Sequence, residues 1–317
     1  APPSAPIDAS GTSGGTVVEH ADAGTLVGIT AHATDPKGGA VTYSFDTDSM
    51  GYLAQALAID SQTGVVTVAD PHGIDYEFIA NGQVDVVIRA KDAHGMHTTS
   101  TFKLTVTDRN DAPSFYSPDS YILAENTAVV GTIGATDPDR EPTPDTLTFS
   151  LTGDDAALFK IDVEGEIRFR SAPNFEAPKD KGADNQYHFN VVASDGQTST
   201  SQATTVTVSD QDEAPVVAGG ASVNISVNEG IATSTPVFQL AATDPEGKPL
   251  TYGLANVEGF FFFDIDEQGR LFFNESPHFS NPGDLNGDNI FNVDLYVSDG
   301  ETEVLQTVNI AVKDINA

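Results

Sequence analysis

The chain has 317 residues, of which 39% are apolar, with 28 glycines and 18 prolines. Its 47 acidic side chains stand against 14 basic ones, a net charge of −33, which repels nucleic acid and anionic membrane surfaces and attracts cations. There is no cysteine, which excludes a disulfide framework, a thiolate metal site and a cysteine nucleophile; no apolar run reaches the roughly 18 residues that a membrane-spanning helix needs.

The length is that of two or three domains, with apolar content sufficient for packed cores. The opening "APPSAPIDASGTSGG" reads as a leading linker, residues 1–15, of a segment cut from a longer chain. Beyond it, four landmarks recur in the same order three times. A glutamate closes an early strand at Glu19, Glu125 and Glu229. An Ala-x-Asp-Pro loop follows at Asp35, Asp137 and Asp244. An aspartate ends a long strand at Asp92, Asp195 and Asp299. An acidic knot, "TDRNDAP", "SDQDEAP" and "KDINA", comes at Asp108, Asp210 and Asp314. The landmarks define repeats of about 105 residues, with boundaries at 1–111, 112–213 and 214–317.

Within each repeat the hydrophobic period is two. Val84, Val86, Ile88 and Ala90 share one face in the first repeat, Tyr187, Phe189, Val191 and Ala193 in the second, and Phe291, Val293, Leu295 and Val297 in the third. Strict alternation marks half-buried antiparallel strands. Turn signals such as "DSQTG", "VEGE" and "DEQG" break the runs, and no amphipathic helix stands out. The pattern predicts an all-β chain, each repeat a two-sheet β-sandwich of about seven strands.

Strands that alternate in direction bring their ends to the two poles of a sandwich. Acids at the base of one repeat and the top of the next therefore meet around the knot that joins them. Several unpaired carboxylates within a few ångströms repel strongly. A Ca²⁺ ion surrounded by six to eight oxygens at about 2.3–2.6 Å removes that cost, whereas Mg²⁺ keeps more water and fewer carboxylates.

The series Glu, Asp-x-Glu, Asp-x-Asn-Asp, Asp-x-Asp and Ala-x-Asp resembles the cadherin repeat in its bacterial cadherin-like form, over nearly the whole chain from Thr16. The resemblance implies tandem Greek-key, immunoglobulin-like sandwiches in an elongated rod, with calcium at each junction and a role in surface adhesion. It implies these ligands at the first junction: Glu19, Asp75 and Glu77 from repeat one, Asp108, Asn110 and Asp111 from the linker, and Asp137, Asp139 and Asp195 from repeat two. At the second junction it implies Glu125, Asn174 and Glu176, then Asp210, Asp212 and Glu213, then Asp244, Glu246 and Asp299. Asn174 stands where the family has Asp, and Asp212 and Glu213 depart from the linker motif. The outer poles are incomplete. His278 and Ser280 replace the Asp-x-Glu pair of repeat three, and Lys37 replaces the second acid beside Asp35.

Other features carry weaker readings. Asp284, Asn286 and Asp288 copy the first positions of an EF-hand loop, but Asn289 stands where the glycine belongs and Leu295 where the last glutamate belongs. Repeat two keeps Asp180, Asp184 and Asn185 in the corresponding loop. A solvated turn is the main reading there and a calcium within the repeat the other. Phe260 to Phe263 read as a strand that buries two of the four, with Phe263 and Ile265 in the core by analogy with Phe159 and Ile161; the other reading is an aromatic platform for a sugar. His94 and His97 are a minor zinc candidate. No nucleophilic triad stands out, and the chain reads as a non-enzyme.

These observations predict an extracellular, calcium-stiffened stalk or adhesive segment of a large bacterial surface protein, its partners being other surface proteins or polysaccharide. The alternative is a calcium-dependent carbohydrate-binding module. The rod has a direct test. A ten-residue strand is about 33 Å long, so three repeats end to end exceed about 100 Å and have a radius of gyration of roughly 35 Å, against about 20 Å for one compact globule of this length. Small-angle scattering in calcium should return the larger value, and a radius near the smaller one overturns the stalk.

Overall fold

The computed structural model describes residues 1–11, 14–139 and 146–315, together with the backbone but not the side chains of 257–259. Thr12 and Ser13 of the expected linker, and Asn316 and Ala317 of the last knot, lie outside the described residues. Among the described residues the chain is all-β, with two α-helices of four residues, one of six and four short 3-10 turns. No described helix is long and apolar enough to cross a membrane.

The chain groups into two compact units: Ala1–Tyr121, Val129–Arg168 and His188–Thr205 form the first, and Ile122–Ala128, Phe169–Tyr187 and Val206–Ala317 the second. The middle repeat contributes to both.

In the first unit, repeat one is a sandwich of two four-stranded sheets. One orders the strands Gly14–Val18, His97–Thr107, Gln83–Asp92 and Val41–Phe45; the other orders Ile7–Asp8, Leu26–His32, Val65–Val68 and Leu57–Ile59. Alternation aims Val86, Ile88, Ala90 and Leu104 at Val27, Ile29, Val66 and Val68, all buried, while Val84 lies at the margin of the core. The same period governs the part of the middle repeat in this unit. Thr148–Thr152 runs antiparallel to Gln186–Ser194, and Phe159 packs on Phe189 with ring centroids 4.5 Å apart.

In the second unit, Ser222–Asn228, Glu303–Lys313, Ile290–Ser298 and Thr251–Leu254 form one sheet, and Phe238–Gln239, Arg270–Phe273 and Phe263–Ile265 another. Phe291, Val293, Leu295 and Val297 are buried between them with Phe263, Leu271 and Phe273.

The hairpin turns follow from their acids and glycines. In "DSQTG" the Asp60 carboxylate accepts from the Gln62 and Thr63 amides, at 2.9 and 2.8 Å, and Gly64 takes a φ of 73°. Asp162 with Gly165 and Asp266 with Gly269 repeat the device.

Three expectations need correction. The described residues of the stretch 1–15 are not a free linker: Ile7 pairs with His32, the Ser4 amide donates to Thr34 O at 2.9 Å, and Gly14–Val18 is an edge strand of the other four-stranded sheet. The prolines misled, because Pro3 and Pro6 are buried against the sandwich rather than solvated. Nor are all strands antiparallel. In repeat one Gly14–Val18 runs parallel to the last strand, His97–Thr107, with Val17 beside Val106, and in repeat three Val227 lies parallel to Val312. A sandwich whose first and last strands run parallel is entered at one pole and left at the other. Finally, Phe260 to Phe262 lie in a short helix, Val257–Phe262, not in a strand. Phe260 and Phe261 are exposed, Phe262 packs on Phe291 with centroids 5.4 Å apart, and Phe263 opens the strand and is buried, with Ile265 at the core's margin.

Leu295 is fully buried among these rings. Leu295→Ala should therefore lower stability by about 2–5 kcal/mol in urea denaturation, and a loss below about 1 kcal/mol would mean that this core is not closed.

Candidate functional site

Each landmark glutamate is a staple. Glu19 follows the strand Gly14–Val18 and is fully buried. Its Oε2 accepts from the Tyr76 amide at 2.6 Å and its Oε1 from the Arg109 amide at 2.7 Å. Glu125, also fully buried, accepts from Phe175 at 2.7 Å and Gln211 at 3.0 Å. Glu229 accepts from Phe279 at 3.0 Å and Ile315 at 3.3 Å. One carboxylate thus ties a strand end to the Asp-x-Glu loop, or its counterpart, and to the acidic knot. The next residue is left-handed in all three, with φ of 49° at His20, 62° at Asn126 and 72° at Gly230, a conformation that Asn, His and Gly tolerate best.

The first unit gathers the first-junction set around Glu19. Ligand-capable atoms of Glu19, Asp75 and Glu77 lie within 4.8 Å of one another, as do those of Glu77, Asp111 and Asp139 and those of Glu19, His20 and Asp111. Asp75 orients its own loop by accepting from the Glu77 amide at 3.0 Å. Asp139 Oδ2 accepts from the Asp111 amide at 3.0 Å, and Asp137 accepts from the Asp139 amide at 3.0 Å. Asn110 bridges to the far side, donating from Nδ2 to Asp195 Oδ2 at 3.0 Å. Burial, reinforced by the charges of Glu19, Asp75 and Asp108, pushes Glu77 up to about 7. Burial, with the charges of Asp137, Asp108 and Asp111, pushes Asp139 up to about 6. The Thr198 hydroxyl and Asn110 hold Asp195 far below the usual carboxylate range.

The second unit gathers a different set. Glu125, Glu176 and Asp210 form one group, and Glu176, Glu213 and Glu246 another, each within 4.8 Å. The Glu246 carboxylate beside it, together with burial, pushes Glu213 up to about 7, and the Glu213 amide donates to Glu246 Oε1 at 3.3 Å. Burial also raises Glu176. Asp212 is held by the Lys248 ammonium, which also reaches Glu301 at 3.3 Å. Asp244 accepts from the Lys248 amide at 2.9 Å, and Asp299 from the Glu301 and Thr302 amides, both at 2.7 Å. Asn174 is exposed.

Elsewhere the acids serve their own turns. Asp284, 8% exposed, accepts from the Asp288 and Asn289 amides at 2.8 and 3.1 Å, and Asn286 accepts from Asp288 at 3.2 Å. Asp180 does the same for Asp184 and Asn185. Asp35 and Asp92 likewise accept backbone amides two and four residues on. His94 and His97 belong to no metal-capable group among the described residues.

Three participants escape a reading of acids alone. His20 occupies the left-handed slot after Glu19, and aligning it with Asn126 and Gly230 is what singles it out. Lys248 is a basic residue inside an acidic loop, "DPEGK". Thr198, from "SDGQT", donates to Asp195 at 2.6 Å and to Asp111 O at 3.2 Å, and Thr302 in "SDGET" repeats the first of these bonds at 2.9 Å.

Residues 120–209 match the family model of the cadherin domain. The middle repeat is a cadherin domain. Cadherin-23 of Mus musculus is 31% identical over 245 residues, which are 72% of this chain and 7% of that protein. Cadherin-18 of Bos taurus is 28% identical over 336 residues, covering 95% of this chain and 40% of that one. The chain thus spans less than half the length of either relative. A solved structure of human CDH23 EC21-23 is matched over 97% of this chain and 100% of its own, with a TM-score of 0.59 and 19% identity. Protocadherin Gamma B2 extracellular domains 1-5 match over 99% and 61%, with a TM-score of 0.52 and 19% identity. These structures share the cadherin fold.

The raised carboxylates set the pH response of the metal-free cadherin-type repeats. A group raised in the folded state stabilises it fully below its ordinary value, 4.5 for Glu77 and Glu213 and 3.8 for Asp139, and that stability is lost as pH climbs through about 6 to 7. The lowered Asp195 and Asp299 act in the opposite sense, but below their ordinary 3.8. In chelator, melting temperature should therefore fall between pH 5 and pH 8; a flat or rising profile would contradict the assignment.

Proposed function

We propose that this chain is a calcium-dependent, extracellular adhesive or stalk segment of three cadherin repeats, 1–111, 112–213 and 214–317, in which Ca²⁺ stiffens the two junctions. One observation carries the proposal: Glu77 Oε2 and Asp139 Oδ1 at the first junction, and Glu213 Oε2 and Glu246 Oε2 at the second, are buried oxygens with no hydrogen-bond donor. Buried acceptors left without a donor are costly, and each lies in a group of convergent carboxylates. Hard oxygens at this density suit calcium.

Glu19, Asp75, Glu77, Asp108, Asp111, Asp137 and Asp139 would hold the ions of the first junction, with Asn110 and Asp195 on its far side. Glu125, Glu176, Asp210, Glu213, Glu246, Asp244 and Asp299 would hold those of the second, with Asp212 shared with Lys248. Calcium supplies positive charge at a point where the chain supplies almost none. The chain's own part is to fix the donors: the glutamate staples hold loop and knot in register, and the turn aspartates spend one oxygen on backbone and present the other. A bacterial surface protein accords with the cysteine-free, strongly acidic composition, because such a chain can be exported unfolded and folded by external calcium.

A protein at a ligand concentration 100 times the dissociation constant gains about 2.7 kcal/mol per independent site. Melting in millimolar calcium should rise clearly over melting in chelator, with magnesium less effective, and beads coated with the chain should aggregate only in calcium. Identical melting curves with and without calcium would overturn the metal; calcium stabilisation without aggregation would leave a stalk and remove self-adhesion.

A further inference from the structure

The two junctions differ in the residue that follows the staple glutamate. At the first, an imidazole faces the carboxylates: His20 Nδ1 lies 3.4 Å from Asp111 Oδ1, and Nε2 lies 4.0 Å from Asp75 Oδ2. At the second, the same left-handed slot holds Asn126, whose amide donates to Glu213, and the convergent groups there contain only carboxylates. We propose that the first junction contains a position for a Zn²⁺-class divalent cation, with His20 Nδ1, Glu19 and Asp111 as its protein donors. The proposal rests on the reading of that junction as a cation site and specifies which cation one position prefers.

The imidazole–carboxylate spacing fits. Tetrahedral zinc with bonds of about 2.0–2.1 Å places its donor atoms about 3.3–3.4 Å apart, the observed separation of the His20 and Asp111 atoms being 3.4 Å. A direct N–H···O bond would draw them to about 2.7–3.2 Å. The Glu19 oxygen lies within 4.8 Å of both. Three protein donors leave a fourth position for water, the pattern of an open zinc site. The second ring nitrogen points to Asp75, and a carboxylate behind the non-ligating nitrogen fixes the ring and raises its basicity.

The ring is also held where it is. The His20 amide donates to Ile74 O at 2.9 Å and that of Glu19 to Thr107 O at 3.0 Å, which locks the left-handed backbone. Beside this position, Asp139 is 9% exposed, its Oδ1 has no hydrogen-bond partner, and it converges with Glu77 and Asp111, the carboxylate that the two groups share. Nitrogen is a poor donor for calcium and a good one for zinc, and affinity for mixed nitrogen and oxygen sites rises toward the end of the first-row series.

The test is calorimetric titration of the chain with ZnCl₂ at fixed neutral pH, for the unaltered protein and for His20→Asn, the residue that repeat two carries in this slot. Circular dichroism in chelator verifies that the variant folds. If its strand signal is lost, the ¹⁵N shift of His20 Nδ1 in the unaltered protein decides instead. The expected result is one tight zinc equivalent, weakened tenfold or more in His20→Asn, with the Nδ1 resonance moving on zinc addition. Unchanged zinc affinity in the folded variant, no tight zinc equivalent in the unaltered chain, or an unmoved Nδ1 resonance would overturn the inference. The calcium reading is judged separately, by whether calcium raises the melting temperature of the unaltered chain, so a calcium response without a His20-dependent zinc site discards only the zinc position.

Discussion

The architecture of each junction depends on a buried carboxylate. Glu19 and Glu125 are fully enclosed, and each oxygen takes a backbone amide from a different segment. A buried acid without such donors would cost several kilocalories per mole; with them it becomes the cheapest way to hold three segments in one place. The strand end, the loop carrying Asp75 and Glu77, and the knot carrying Asp108 to Asp111 are then fixed together before any ion is considered. In repeat three the staple persists at Glu229 although the acids of its loop are replaced by His278 and Ser280. Stapling and charge are therefore separable, and stapling is the more fundamental of the two.

Once the segments are stapled, like charges are forced together. Glu77 and Asp139 are pushed up by burial and by carboxylates supplied from both sides of the knot. The fold accumulates this repulsion at the joints, while the sandwich cores, with their alternating valines, isoleucines and phenylalanines, are spared it. The division leaves the charge at the joints and the apolar packing in the sandwiches.

The joints are not copies. The first has an imidazole among its carboxylates and an Asn110 that reaches Asp195. The second has an ammonium on Asp212 and a glutamate pair, Glu213 beside Glu246. The tethered ammonium neutralises part of the second joint's charge.

Alternation, turn chemistry and the recurrence of four acidic landmarks determined from sequence alone that the chain is all-β and that it repeats. Those signals are local: a period of two, an Asp two residues before a free amide, a glycine in a left-handed turn. The tertiary structure alone decided the rest. The leading prolines pack on the sandwich because Ile7 and Ser4 find partners about thirty residues on. Asp284 and Asp180 spend their oxygens on their own loops, whereas Glu77 and Asp139 keep one free, a difference in backbone donors that composition does not encode. His20 and Lys248 enter the sites because a left-handed residue and a loop turn carry them there. Which charges end up within a few ångströms depends on long-range pairing, and sequence spacing does not report it.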